Sequence, residues 1–181
     1  MRLILFFFIA LLPGAVHACK LGFALVQDTS EYQGKLHLTS GVGAHELIHL
    51  GIRYQNGNQQ YGIKLGSFPK IDGDKTFAVS ADYYCHLFGK TNNWNRPTWF
   101  LRASMIYWNI NYERYIQEHY ILNLRIGKEV NFSPKSGLEF DFGLASNIGN
   151  NKITKAGPSL YSREPVTVIP CLSIAFVFRI I

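Results

Sequence analysis

From Leu138 to Ala145 the chain alternates at every position. Leu138, Phe140, Phe142 and Leu144 fall on one side, and Glu139, Asp141, Gly143 and Ala145 on the other. Successive side chains of a strand point to opposite faces, so this period of two predicts a β-strand with one apolar and one polar face. The same rhythm recurs. Tyr120, Leu122, Leu124 and Ile126 oppose Asn123, Arg125, Gly127 and Glu129. Phe77, Val79, Ala81, Tyr83, Cys85 and Leu87 oppose Ala78, Ser80, Asp82, Tyr84 and His86. Leu50, Ile52 and Tyr54 oppose Gly51, Arg53 and Gln55, and Tyr61, Ile63 and Leu65 oppose Gly62, Lys64 and Gly66. Leu101, Ala103, Met105 and Tyr107 oppose Arg102 and Ser104, and Leu172, Ile174, Phe176, Phe178 and Ile180 oppose Cys171, Ser173, Ala175 and Arg179.

Turn residues separate these runs. Asn56-Gly57-Asn58 is a hairpin signal, and Asp72-Gly73-Asp74, residues 89–97 and Ser133-Pro134-Lys135-Ser136-Gly137 are further breaks. The predicted strands are 20–27, 47–56, 59–68, 76–88, 98–111, 119–132, 138–148 and 167–180. Residues 35–44 are another strand or part of a first long loop, so the count is eight or ten. The expected fold is all-β: an antiparallel up-and-down transmembrane β-barrel occupying residues 19–181. A soluble sandwich would alternate too, but its polar face should be rich in Lys, Glu and Asp. Here that face carries Gly, Ala, Ser and isolated charges of both signs, which suits the crowded lumen of a narrow barrel.

Composition agrees. Apolar residues make up 48% of the 181 and charged residues 17%, which excludes a disordered chain. The net charge is +6, but the basic residues form no run, so no nucleic-acid partner is expected. Residues 1–18 read as a cleaved signal peptide: Arg2, the apolar run Leu3 to Leu12, a break at Pro13-Gly14, and small residues before a cut after Ala18. Val16-His17-Ala18-Cys19 also has the outline of a lipobox, with Cys19 acylated. Cys85 and Cys171 are free to pair in an exported compartment, or are two small apolar residues facing lipid or core.

With Tyr120-Ile121-Leu122-Asn123-Leu124-Arg125-Ile126-Gly127 and the closing stretch Ile174-Ala175-Phe176-Val177-Phe178-Arg179-Ile180-Ile181, the chain resembles the small outer-membrane β-barrel proteins of Gram-negative bacteria. The resemblance implies location in the cell outer membrane, with membrane lipid and the barrel-assembly machinery as partners, and no particular activity. A structural or surface-interaction role is expected, without a cofactor, with residues 28–40 and 149–166 as contact loops.

Two enzymatic alternatives arise. His45-Glu46-Leu47-Ile48-His49 fits the H-E-x-x-H pattern, in which a helix places His45 and His49 on one face to bind zinc and Glu46 acts as base. No third ligand stands out, Gly41, Gly43 and Gly51 crowd the motif, and it runs directly into a strand pattern. The other alternative is a lipid-modifying site in the barrel wall, with Ser80, Asp82 and His86 on one face, or Ser104 with His86 or His119. Ser80 and His86 would stand roughly 20 Å apart at 3.3 Å per residue, too far to act together.

The inward charges have a simpler part. Arg53, Lys64, Arg102 and Arg125 share the notional interior with Asp82, Glu129, Glu139 and Asp141, and unpaired charges there would be costly. They are expected to pair and plug the lumen rather than line an ion path. A hairpin centred near residue 135 would set Glu129 opposite Asp141, with Arg125 as the cation that the two carboxylates share.

Overall fold

A computed structural model describes residues 35–71, 74–89, 97–155 and 167–180. It contains eight strands: β1 (Lys35–Gly43), β2 (Leu47–Asn56), β3 (Gln59–Ile71), β4 (Asp74–Phe88), β5 (Trp99–Asn111), β6 (Tyr115–Asn131), β7 (Ser136–Thr154) and β8 (Val168–Ile180). Each pairs antiparallel with the next, and β8 pairs back with β1, so the sheet closes on itself. The fold is an eight-stranded up-and-down β-barrel. The region 35–44, ambiguous in sequence, supplies the first strand. The predicted strand 20–27, the signal segment and Cys19 lie outside the described residues. Two expected loops shrink, since 35–40 belongs to β1 and 149–154 to β7.

The sequence builds this wall locally. Gly57 takes a left-handed conformation (φ 59°) in the two-residue loop between Asn56 and Gln59, as the Asn-Gly signal requires. In the β6–β7 turn the Ser133 hydroxyl accepts from the backbone of Lys135 and Ser136, a local competitor to further pairing that ends both strands. Paired residues followed around the wall from Lys35 pass through Gln55, Gln60, Tyr84, Arg102, Arg125, Gly143 and Cys171. They arrive in the β1–β2 turn about ten residues further along the chain, the stagger that tilts strands and closes a narrow barrel.

The two faces invert the usual distribution. Outside, Leu50 is 68% exposed, Phe142 64%, Leu172 63% and Ile63 62%. Inside, Arg53, Arg102, Arg125, Glu129 and Glu139 are at most 2% exposed. Among the described residues, twenty-two buried ones are polar or charged and twelve are apolar, the reverse of a water-soluble core. The lumen is not uniformly polar, however. Leu47, Ala78, Ile106, Ile121, Ala145 and Cys171 form an apolar cluster within it, with Trp108 packed alongside.

Cys85 is disulfide-bonded and Cys171 is free, so the two do not pair with each other. Alternation along β4 and β8 explains this: Cys85 shares the outward side with Tyr83 and Leu87, whereas Cys171 belongs to the lumen cluster.

Candidate functional site: the charged lumen

The interior charges stand in three levels. At the centre, Arg102 extends from β5 and Arg125 from β6, adjacent in register. Two like charges this close need anions between them. Arg102 donates to Glu46 at 2.5 Å, to Asp82 at 2.9 Å and to Asp141 at 2.9 Å. Arg125 donates to Glu46 at 2.9 Å and Asp141 at 3.0 Å. Glu46 and Asp141 thus each bridge the two guanidinium groups, in the forked geometry that arginine offers carboxylates. Lys64 lies 3.4 Å from Asp82, and the Ser173 hydroxyl donates to Asp141 at 2.7 Å.

Tyr84 separates this level from the next. Its ring centre lies 5.3 Å from the Arg102 guanidinium and 3.9 Å from that of Arg53. Arg53 meets both oxygens of Glu139, at 2.5 and 2.9 Å, and also donates to Gln60 at 3.0 Å. The third level, at the end carrying the β6–β7 turn, pairs Arg179 with Glu129, and Arg179 also donates to Asn131.

All eight charges expected in the interior are there, but the set is larger and differently wired. Glu46 and Arg179 join it, giving five buried cations and five buried carboxylates among the described residues. Arg125 is not shared by Asp141 and Glu129. The β6–β7 register sets Gly127 opposite Asp141 and Glu129 opposite Glu139, two residues of pairing away from a hairpin centred on residue 135. The two facing carboxylates avoid each other by turning to different cations, Glu139 to Arg53 and Glu129 to Arg179. Arg179 was legible as an inward residue from the alternation of β8. Glu46 was not, because it comes from a turn rather than a strand.

That turn is unusual. Residues 44–46 connect β1 to β2, and the Ala44 N–H donates to the Leu172 carbonyl at 3.0 Å. Leu47, which closes the turn against Gly43, has φ 62°, a left-handed conformation that a Cβ disfavours by about 1 kcal/mol or more. Burial of its side chain in the lumen cluster, at 1% exposure, offsets that cost. The turn therefore folds inward. A Cβ on Gly43 would lie 2.5 Å from the Glu46 carboxylate, and one on Gly66 would collide with the Glu46 carbonyl oxygen. We expect Gly66→Ala to lower stability by about 1–3 kcal/mol through this overpacking, measured as a lower urea midpoint. An unchanged midpoint would mean that the turn does not rest on β3.

The H-E-x-x-H residues do not lie on a helix: His45 and Glu46 are in the turn and His49 is on β2. His45 stands edge-on to Trp108 at 6.1 Å, and Glu46 has both oxygens on arginines. Burial alone would push the Glu46 carboxyl up, but Arg102, Lys64 and Arg125 outweigh it and hold it down to about 2. A carboxylate so held is a poor general base. Among the described residues no group of three or more His, Cys, Asp and Glu is arranged to hold a metal ion. As for the wall-enzyme residues, His86 donates to the Pro97 carbonyl at 2.9 Å and His119 accepts from Asn147 at 3.0 Å. Asp82 is taken by Arg102 and Lys64.

Comparison with known proteins finds no matching family model, no matching curated protein and no matching solved structure.

Proposed function

We propose that this chain is an integral outer-membrane β-barrel, exported with a cleaved signal segment, in which a closed lumen supports a structural or surface-interaction role without catalysis. The observation that carries the reading is the inverted burial: a continuous apolar outer wall around a charge-neutral, filled interior. Leaving each exposed Leu, Ile or Phe of that wall in water forgoes roughly 1.5–3 kcal/mol of burial, and apolar patches of that extent mark a surface covered by something else. A bilayer covers it on all sides at once. Closure of the sheet satisfies the backbone inside hydrocarbon, as a spanning β structure requires.

Aromatic residues support the same reading. Trp99 stacks on Phe88 at one end of the outer wall, with Lys128 5.4 Å from the Trp99 ring. Tyr107 packs on Tyr120 towards the other end. Trp99 and Tyr107 are roughly 26 Å apart along β5, which after strand tilt spans most of an apolar band about 25 Å tall. Beyond it, β6 and β7 continue to a polar end, where Lys152 covers the Tyr115 ring and Asn151 donates to Glu118. That projecting end is the natural contact surface for an outside partner, with lipid around the wall and the assembly machinery acting on the strands beforehand.

The test is refolding into phosphatidylcholine vesicles followed by flotation. Expected are co-flotation with lipid, resistance to urea extraction, and a faster-migrating band on an unboiled gel. Recovery of folded protein in the lipid-free fraction would overturn the reading.

A further inference from the structure

We propose that Cys19 and Cys85 form a disulfide that straps the mature N-terminal segment, residues 19–34, across the outer wall at the end carrying the β6–β7 turn. The inference rests on the export part of the reading above, since such a bond needs an oxidising compartment. It also decides the fate of Cys19, because a sulfur spent on a disulfide cannot carry a lipid.

Three observations converge. The chain has three cysteines. Cys85 is disulfide-bonded and Cys171 is free, which leaves Cys19 as the partner within the chain. Next, Cys85 and Tyr83 face outward, yet they are only 6% and 8% exposed. Their neighbours across the ladder, Leu101 beside Cys85 and Tyr61 beside Tyr83, are 47% and 40% exposed. The Tyr83 hydroxyl is buried too. Something therefore covers β4 here and leaves the adjoining wall bare, and a segment bonded to Cys85 is placed to do so. Apolar grooves lie on both sides of Tyr83, one lined by Leu101 and Leu124 and the other by Ile63 and Leu65.

The third observation is reach. Pairing runs from Lys35 through Gln55 and Gln60 to Tyr84, so the start of β1 lies three strand spacings, about 14–15 Å, from the neighbour of Cys85. Residues 19–35 would span roughly 50 Å if extended. The segment's own pattern suits the path. Leu21, Phe23 and Leu25 follow Cys19, and Gln27-Asp28-Thr29-Ser30-Glu31 leads back towards Lys35. The strap lays its apolar half over the wall beside Tyr83 and runs its polar half along the rim. Cys85 pairs with Gln59, next to the Asn56-Gly57-Asn58 hairpin, so it stands at that rim, within reach of an oxidant from the aqueous side. The bond forms by exchange. One of the two thiolates attacks the disulfide of a dithiol oxidoreductase and the other displaces it. Two electrons and two protons pass to the oxidoreductase, which leaves as the dithiol. Cys171 takes no part, since it belongs to the lumen cluster on the other face of the wall.

The experiment uses the full chain, expressed with its own signal segment in a Gram-negative host and purified without reductant. Peptide mapping after denaturation and alkylation should find Cys19 and Cys85 in one linked peptide pair and Cys171 alkylated. Lipid on Cys19, alkylated Cys19, or Cys85 linked to Cys171 or to a second copy would overturn the bond. Trypsin acting on the folded protein in phosphatidylcholine vesicles tests the strap, read as a new N-terminus at Leu21. Cys85→Ser should speed that cleavage by roughly tenfold or more, because the segment is no longer tied down. Reduction of the folded parent gives the same comparison if Cys85→Ser does not fold. A parental rate in both would overturn the strap. Flotation separates the two ideas: a linked chain that fails to float upholds the bond and overturns the membrane reading.

Discussion

Arg102→Met is expected to destabilise the barrel by about 4 kcal/mol, the largest effect of any single charge removal in the lumen. Arg102 is fully buried and binds Glu46, Asp82 and Asp141 together. Its loss leaves Arg125 as the one guanidinium paired with Glu46 and Asp141, and Lys64, at 3.4 Å, as the cation paired with Asp82. Stranding buried carboxylates costs much more than the pairs contribute net. Two companions test the cause. Arg102→Lys keeps a charge without the planar fork and should recover less than half of the loss. Combining Arg102→Met with Asp82→Asn removes one stranded charge and should recover part of it, because neighbours in one network are not additive. The measurement is the urea midpoint of refolded protein in detergent. A parental midpoint for Arg102→Met would mean that the central level does not hold the wall together.

Phe142→Arg should lower stability in lipid by about 2–4 kcal/mol. Phe142 stands outward between Ile126 and Leu172, halfway along the apolar part of β7. On a surface facing water, replacing an exposed Phe with Arg would change stability by only about 0.5 kcal/mol in either direction. The same substitution therefore separates the two environments. Equal unfolding midpoints of parent and variant in phosphatidylcholine vesicles would place Phe142 outside hydrocarbon.

The fold was legible because every strand except the first carries its own alternation, and burial follows that parity along β2, β5 and β8. Strand β1 was the exception. Lys35–Gly43 reads Lys-Leu-His-Leu-Thr-Ser-Gly-Val-Gly, with too few bulky residues to distinguish a strand from a loop. Strand ends were less legible than strand centres. β7 runs on to Thr154 through Gly149, Asn150 and Asn151, residues that read as a loop but pair with the far end of β6.

Membership of the strand-borne part of the interior network was legible from parity, but its wiring was not. A shift of two residues in the β6–β7 register keeps every side chain on its face but changes which carboxylate faces which, and turn chemistry sets that register more finely than a count of residues allows. Glu46 was missed for a different reason. Its neighbours spell a metal-binding pattern, and the same five residues instead close a turn that packs inside the barrel. The apolar lumen cluster was hidden because Ile106 and Ile121 lie on faces otherwise read as polar.

The barrel closes where Gly41 lies against Ala175, so tightly that a Cβ on Gly41 would strike the Ile174 carbonyl and Ala175. Every other strand pair joins neighbours in sequence. This joint links the first described strand to the last, and the entropy of bringing such distant segments together makes it the slowest pairing to form. Until it forms, β1 and β8 each present an open edge able to recruit a strand from another copy. The Gly41–Ala175 seam thus divides two fates of the newly made chain, a sealed monomer and a strand-exchanged aggregate.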